Sequence, residues 1–225
     1  MTWAGLVRVI TTDGEMSLNV HGRLIEAAFP GLRVVSRCIR DHPEGVHDAR
    51  TEATAAPLVA GLAAEFQEQG ASVVLVSCAA DPGVPEASRS LRIPVIGAGT
   101  ATSLVASALS DRVGVIGISD EVPDVMARAL GNRLVAYAKP EGVSTTLHLA
   151  GPVARDAAIR AAREVAQKGA RVIALACTGY STTGMASLIR QATGLPVVDP
   201  VLALGLYGYY AAVLEGDALP EGREP

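Results

Sequence analysis

Val73–Gly83 reads VVLVSCAADPG, and Val172–Thr182, about 100 residues on, reads VIALACTGYST. Each begins as a strand-length run of apolar, largely β-branched residues. Each ends in a cysteine followed by small, polar and turn-forming residues. Such a run fits a buried parallel strand that delivers a thiol into the loop at its carboxyl end. In open α/β sheets, ligands bind outside that edge.

Strands and helices alternate on either side of the first stretch. Leu6–Thr11 reads as a strand, Ser17–Phe29 as an amphipathic helix and Val34–Ile39 as a second strand. A polar loop runs from Arg40 to Asp48. The next helix extends to about Gln69, with Leu58, Val59, Leu62 and Phe66 on one face and Gly70 as its stop. Pro57 is expected to kink that helix or to mark a late start. After the cysteine strand come a short helix near Pro85–Leu91 and a strand at Ile93–Ile96. The alternation argues for parallel βαβ units.

The same order then recurs. Val113–Ile118 answers Val7–Thr12, and Pro140-Glu-Gly-Val143 repeats Pro43-Glu-Gly-Val46. Gly169-Ala-Arg-Val172 with Cys177 repeats Gly70-Ala-Ser-Val73 with Cys78. Leu195-Pro-Val-Val198 answers Ile93-Pro-Val-Ile96. A duplicated unit predicts an α/β fold of two lobes related by a pseudo-two-fold axis, each a four-stranded parallel sheet flanked by helices. The final helix, near Val201–Glu215, is expected to pack back on the first half. The expected lobes are therefore residues 1–99 with 201–225, and residues 100–200. The helix Thr100–Leu109 covers the second half or bridges the two, and Asp217–Pro225 reads as a frayed tail.

Composition narrows the function. Of 225 residues, 49% are apolar, and the net charge is −4 with no basic patch, so nucleic acid and anionic membrane are not expected partners. No apolar run is long enough to cross a bilayer and no signal-peptide pattern opens the chain. Three cysteines in such a chain suggest reduced thiols and a cytoplasmic location.

A pseudo-two-fold axis would bring Cys78 and Cys177 to opposite walls of one cleft. Inverting a carbon next to a carbonyl needs a base on one face and an acid on the other. A thiolate and a thiol supply both and exchange roles each turnover. Backbone N–H groups around Ala79–Ala80 and Thr178–Gly179 can point at a developing enolate oxygen. Asp81 and Tyr180 could hydrogen-bond near the thiols. Cys38 has no partner in the second half, where Leu134–Ala138 reads LVAYA, and is read as a core residue. His42 and His47, with Asp41, Glu44 and Asp48, match no standard ligand spacing and are read as a solvated loop over the cleft, with no metal site. His148 has only a structural reading. A cysteine phosphatase would need an arginine where Val84 and Thr183 stand. The run GAGT at 97–100 reads as a strand-to-helix turn rather than a phosphate loop, and no GxSxG elbow occurs.

SCAADPG, ACTGYS and the following IPVIGAG resemble the aspartate/glutamate/hydantoin racemase superfamily over nearly the whole chain, most of all its hydantoin racemase branch. The resemblance implies flavodoxin-like lobes, a small-molecule substrate, no cofactor and a homo-oligomer. It assigns Cys78 and Cys177 as the acid/base pair. It places Thr11, Thr12, Pro43, Glu44, Gly45, Ala79, Ala80, Thr178 and Gly179 against substrate. Glutamate racemases carry Asp-Ser where this chain has Thr11-Thr12, Asn-Thr where it has Ala79-Ala80, and His where Gly179 stands. Without that aspartate a substrate ammonium loses a partner, so a neutral ring such as a 5-substituted hydantoin fits better. Arylmalonate-type decarboxylases and maleate cis–trans isomerases share the implied fold, and a non-catalytic two-lobed binding protein is the third reading.

Overall fold

The structure, a computed structural model, describes residues 2–12 and 14–214. Strands β1 (Trp3–Arg8), β2 (Arg33–Cys38), β3 (Val73–Ser77) and β4 (Val95–Gly97) form a parallel sheet in the order β2-β1-β3-β4. Strands β5 (Val113–Ile116), β6 (Leu134–Ala138), β7 (Val172–Leu175) and β8 (Val197–Val198) repeat it as β6-β5-β7-β8. The doubled α/β architecture read from the repeats is the one observed. The two cysteine strands occupy equivalent inner positions, and every residue of β3 and β7 is buried. Burial on both faces is why neither strand alternates apolar with polar residues.

The helices are α1 (Glu15–Ala28), α2 (Ala49–Glu68), α3 (Val84–Ser90), α4 (Ala98–Leu109), α5 (Asp124–Leu130), α6 (Pro152–Gln167), α7 (Gly179–Thr182), α8 (Met185–Thr193) and α9 (Pro200–Leu214). Helix α2 does not wait for Pro57. Its start is set by Asp48, whose carboxylate accepts the Thr51 N–H at 2.7 Å while the Thr51 hydroxyl receives the Asp48 N–H. That reciprocal cap satisfies orphan donors well before the proline, which then lies inside the helix. Strand β1 ends at Arg8, short of the expected Thr11, so Thr11 and Thr12 belong to the loop at the sheet's carboxyl edge. The proposed tail lies outside the described residues.

Each half lends its last helix to the other. Helix α9 packs on β1, β3, β4 and α1 of the first sheet. Gly205 there meets Ile25 and Phe29, Gly208 meets Leu75, and Phe29 stacks on Tyr209 with ring centroids 6.0 Å apart. Helix α4 packs on β7, β8 and α5 of the second sheet, and the two exchanged helices also touch each other. Close approach explains the small residues Ala98, Gly99, Ala101, Ser103 and Ala106 on the buried face of α4. None of the described helices is long and apolar enough to cross a membrane.

Candidate active site

Cys78 follows the end of β3 directly, and Cys177 lies two residues beyond β7. Both are buried, and both line one cavity of about 50 Å³, together with Val9, Val46, Ala79, Ala80, Thr146 and Thr178. Its volume suits one or two water molecules. Val9, Thr146 and Thr178 also line a second cavity of about 440 Å³, which therefore adjoins the first. That size falls in the range of small-molecule sites.

Most of the residues expected against substrate come together here. Thr11, Thr12, Pro43, Gly45, Thr178 and Gly179 line the larger cavity, and Ala79 and Ala80 the smaller one. Glu44 does not join them: it is exposed and lines neither cavity, because the turn at positive φ on Gly45 faces the glycine inward instead. Thr11 ties this loop to the sheet edge. Its hydroxyl donates to the Ile39 carbonyl and receives the His42 N–H, each at 2.9 Å. The Thr178 hydroxyl donates to the Ser77 carbonyl at 3.2 Å, linking the two cysteine loops across the pseudo-axis.

The sulfurs have unequal surroundings. Burial pushes both thiols above the ordinary range. At Cys78 the nearby carboxylates of Asp81 and Glu52 and the Cys177 thiol add to that, and the Ala80 N–H opposes it. At Cys177 the opposing groups are the Thr146 hydroxyl, 3.4 Å from the sulfur, and the N–H groups of Gly179 and Tyr180. The backbone donors expected to serve an enolate thus also serve the sulfurs.

The side chains of two expected helpers make their hydrogen bonds elsewhere. The Asp81 carboxylate accepts the N–H of Gly99 at 2.7 Å, the N–H of Thr100 at 2.9 Å and the Thr100 hydroxyl at 2.7 Å. It caps α4, so the GAGT turn cradles a side-chain anion of the same chain. Burial raises this carboxyl to about 6 against the pull of those donors. The Tyr180 hydroxyl donates to the Gly117 carbonyl at 3.1 Å, and only its backbone N–H turns to Cys177. A side chain at Gly179 would displace Thr146 and Leu149, because a Cβ there would run into both. Cys38, expected in the core, is half-buried, with its sulfur 4.0 Å from the Thr12 carbonyl. His42 and His47 hold the loop through backbone hydrogen bonds, and no cluster of three metal-ligating side chains occurs among the described residues.

Sequence reasoning missed Thr146, Arg8 and His21. Thr146 opens a short 3₁₀ turn, Thr146–Leu149, just after the repeated Pro-Glu-Gly-Val segment, and that repeat was the available signal. Arg8 and His21 line the larger cavity. Burial lowers the guanidinium to about 10, partly offset by Cys38. Burial, and then Arg8, hold the His21 imidazole well below its ordinary value, hence neutral, with Nδ1 2.7 Å from the Ser77 hydroxyl.

The family model described as Asp/Glu/Hydantoin racemase matches residues 19–205. No curated protein matches the chain in sequence. Among solved structures, allantoin racemase from Pseudomonas fluorescens is similar with a TM-score of 0.83 and 23% identity, over 100% of this chain and 99% of that one. Allantoin racemase from Klebsiella pneumoniae gives 0.83 and 22%, over 99% and 95%. Glutamate racemase from Thermus thermophilus gives 0.68 and 18%, over 99% and 84%.

Proposed function

The chain belongs to the Asp/Glu/hydantoin racemase family, and on that premise we propose that it inverts the C5 centre of a 5-substituted hydantoin-type ring by passing a proton between Cys78 and Cys177. The observation that carries this is the pair of buried thiols at equivalent strand ends, lining one cavity. No carboxylate among the described residues lines either that cavity or the larger one, so none of the described residues there matches a substrate ammonium. A neutral ring suits these walls, and the likeness to allantoin racemases supports the same class.

Cys177 is the base in one direction. Three donors face its sulfur, against one donor and two carboxylates around Cys78. The Cys177 thiolate takes the C5 proton, the C–H electron pair delocalises onto the adjacent ring carbonyl, and the Cys78 thiol returns a proton to the opposite face. The pair ends with the charge on Cys78, ready for the reverse direction. One negative charge is kept throughout, which suits a site where two thiolates would repel. The smaller cavity is too tight for a ring, so the walls must part to admit it.

The test is decay of optical rotation from one enantiomer of a 5-substituted hydantoin. Wild-type protein is expected to racemise it, and Cys78→Ser and Cys177→Ser each to lose at least about a thousandfold in kcat/KM. Full activity in either variant would overturn the assignment.

A further inference from the structure

Arg8 is a cation with no anionic partner among the described residues. It ends β1, in register between Cys38 and Ser77, the residue just before the first thiol. Only 6% of it is exposed, and it lines the 440 Å³ cavity. One nitrogen, Nη1, is pinned by the carbonyls of Ser17 at 2.7 Å and Leu18 at 3.1 Å. Nε and Nη2 have no hydrogen-bond partner among the described residues. The ion pairs of the described residues all use other cations. His21 beside it is a base that could only add positive charge, and it is held neutral there.

A buried charge without a partner is costly, and proteins keep one where a ligand completes it. The guanidinium is fixed by its two carbonyl contacts, with a planar edge left for a planar anion. The cavity it faces meets the thiol cavity at Val9, Thr146 and Thr178, so a ring held at the thiols can extend an arm toward Arg8. We propose that Arg8 is the specificity residue of this site and takes a carboxylate at the end of the substrate's C5 arm. This deepens the proposed racemase function and rests on it: the preferred substrates are hydantoins with an acidic side chain.

Three probes separate the cases: 5-(2-carboxyethyl)hydantoin, the neutral 5-propylhydantoin and allantoin, whose arm is an uncharged ureido group. The wild-type protein is expected to show a KM for the acid at least about tenfold below that for the propyl compound. In Arg8→Met that ratio falls toward one, and in Arg8→Lys it is partly restored. Equal KM values in the wild type, preference for allantoin over the acid, or an intact ratio in Arg8→Met would overturn the proposal. Calorimetric titration gives a readout independent of turnover. Tighter binding of the acid by wild type without racemisation would uphold Arg8 while refuting the racemase reading, and equal binding of the acid and propyl compounds would refute Arg8. If Arg8→Met fails to fold, the wild-type ratio and Arg8→Lys decide.

Discussion

A hydroxyl 3.4 Å from one sulfur and a carboxylate near the other give chemically identical side chains different characters. Thr146 stabilises the Cys177 thiolate, so Thr146→Val raises that thiol further and moves the rising limb of the kcat/KM against pH profile to higher pH. A shift of one pH unit corresponds to about a tenfold loss below the limb. Thr146→Ser is expected to keep the wild-type profile, and an unmoved limb in Thr146→Val would contradict the role. At this scale the sequence was informative where the repeat spoke. Cys78 and Cys177 stand out because two copies of one unit place a thiol at the same point. Asp81 was misread because chain adjacency to a thiol says nothing about where a carboxylate points, and here α4 offers two backbone donors and a hydroxyl. Arg8 was invisible because one arginine in a strand looks like any other until its neighbours are known.

At the scale of elements, the two halves solve one problem twice with different residues. Asp81 ties the first cysteine loop to the start of α4. In the second half Asp199 accepts the N–H groups of Val201 and Leu202 at the start of α9, and Ser181 of the cysteine loop donates to the same carboxylate at 2.7 Å. The Asp81 contact carries a pH dependence. Its carboxyl is raised to about 6 from an ordinary 3.8, so the native state holds this proton more tightly than the unfolded chain. Stability from this group is full below about pH 4 and is lost as pH rises through 6, by at most about 3 kcal/mol. Asp81→Asn cannot titrate, so urea unfolding between pH 4 and 7 is expected to show that slope in wild type and not in the variant. Equal slopes would contradict it. Element order and type were legible from hydrophobic runs and stop residues. The start of α2 was not, because the capping pair of Asp48 and Thr51 outweighed the expectation drawn from Pro57.

At the scale of the molecule, exchange of α4 and α9 makes each sheet's cover part of the other half. Neither sheet can lose its partner without exposing a core, so the two are expected to unfold together. The single tryptophan, Trp3, lies on β1 against Phe66 and reports on the first sheet, whereas far-ultraviolet circular dichroism reports on both. Coincident urea transitions by the two probes are expected, and an early fluorescence transition would show that the lobes are independent. The doubling was legible at this scale because an internal repeat survives in strand ends and turns. The joining of the two cavities was not, since it depends on how Val9 of the first half meets Thr146 and Thr178 of the second.

Two sulfurs serving opposite faces of one carbon leave a signature in deuterium. One enantiomer of a racemised hydantoin is incubated with the protein in deuterated water and sampled early. The inverted product is predicted to carry deuterium at C5 while the remaining starting enantiomer keeps its hydrogen, because the acid that completes inversion is not the base that began it. Product that retains the original hydrogen, or equal deuterium in both enantiomers from the outset, would show a single base at work and contradict the two-thiol site.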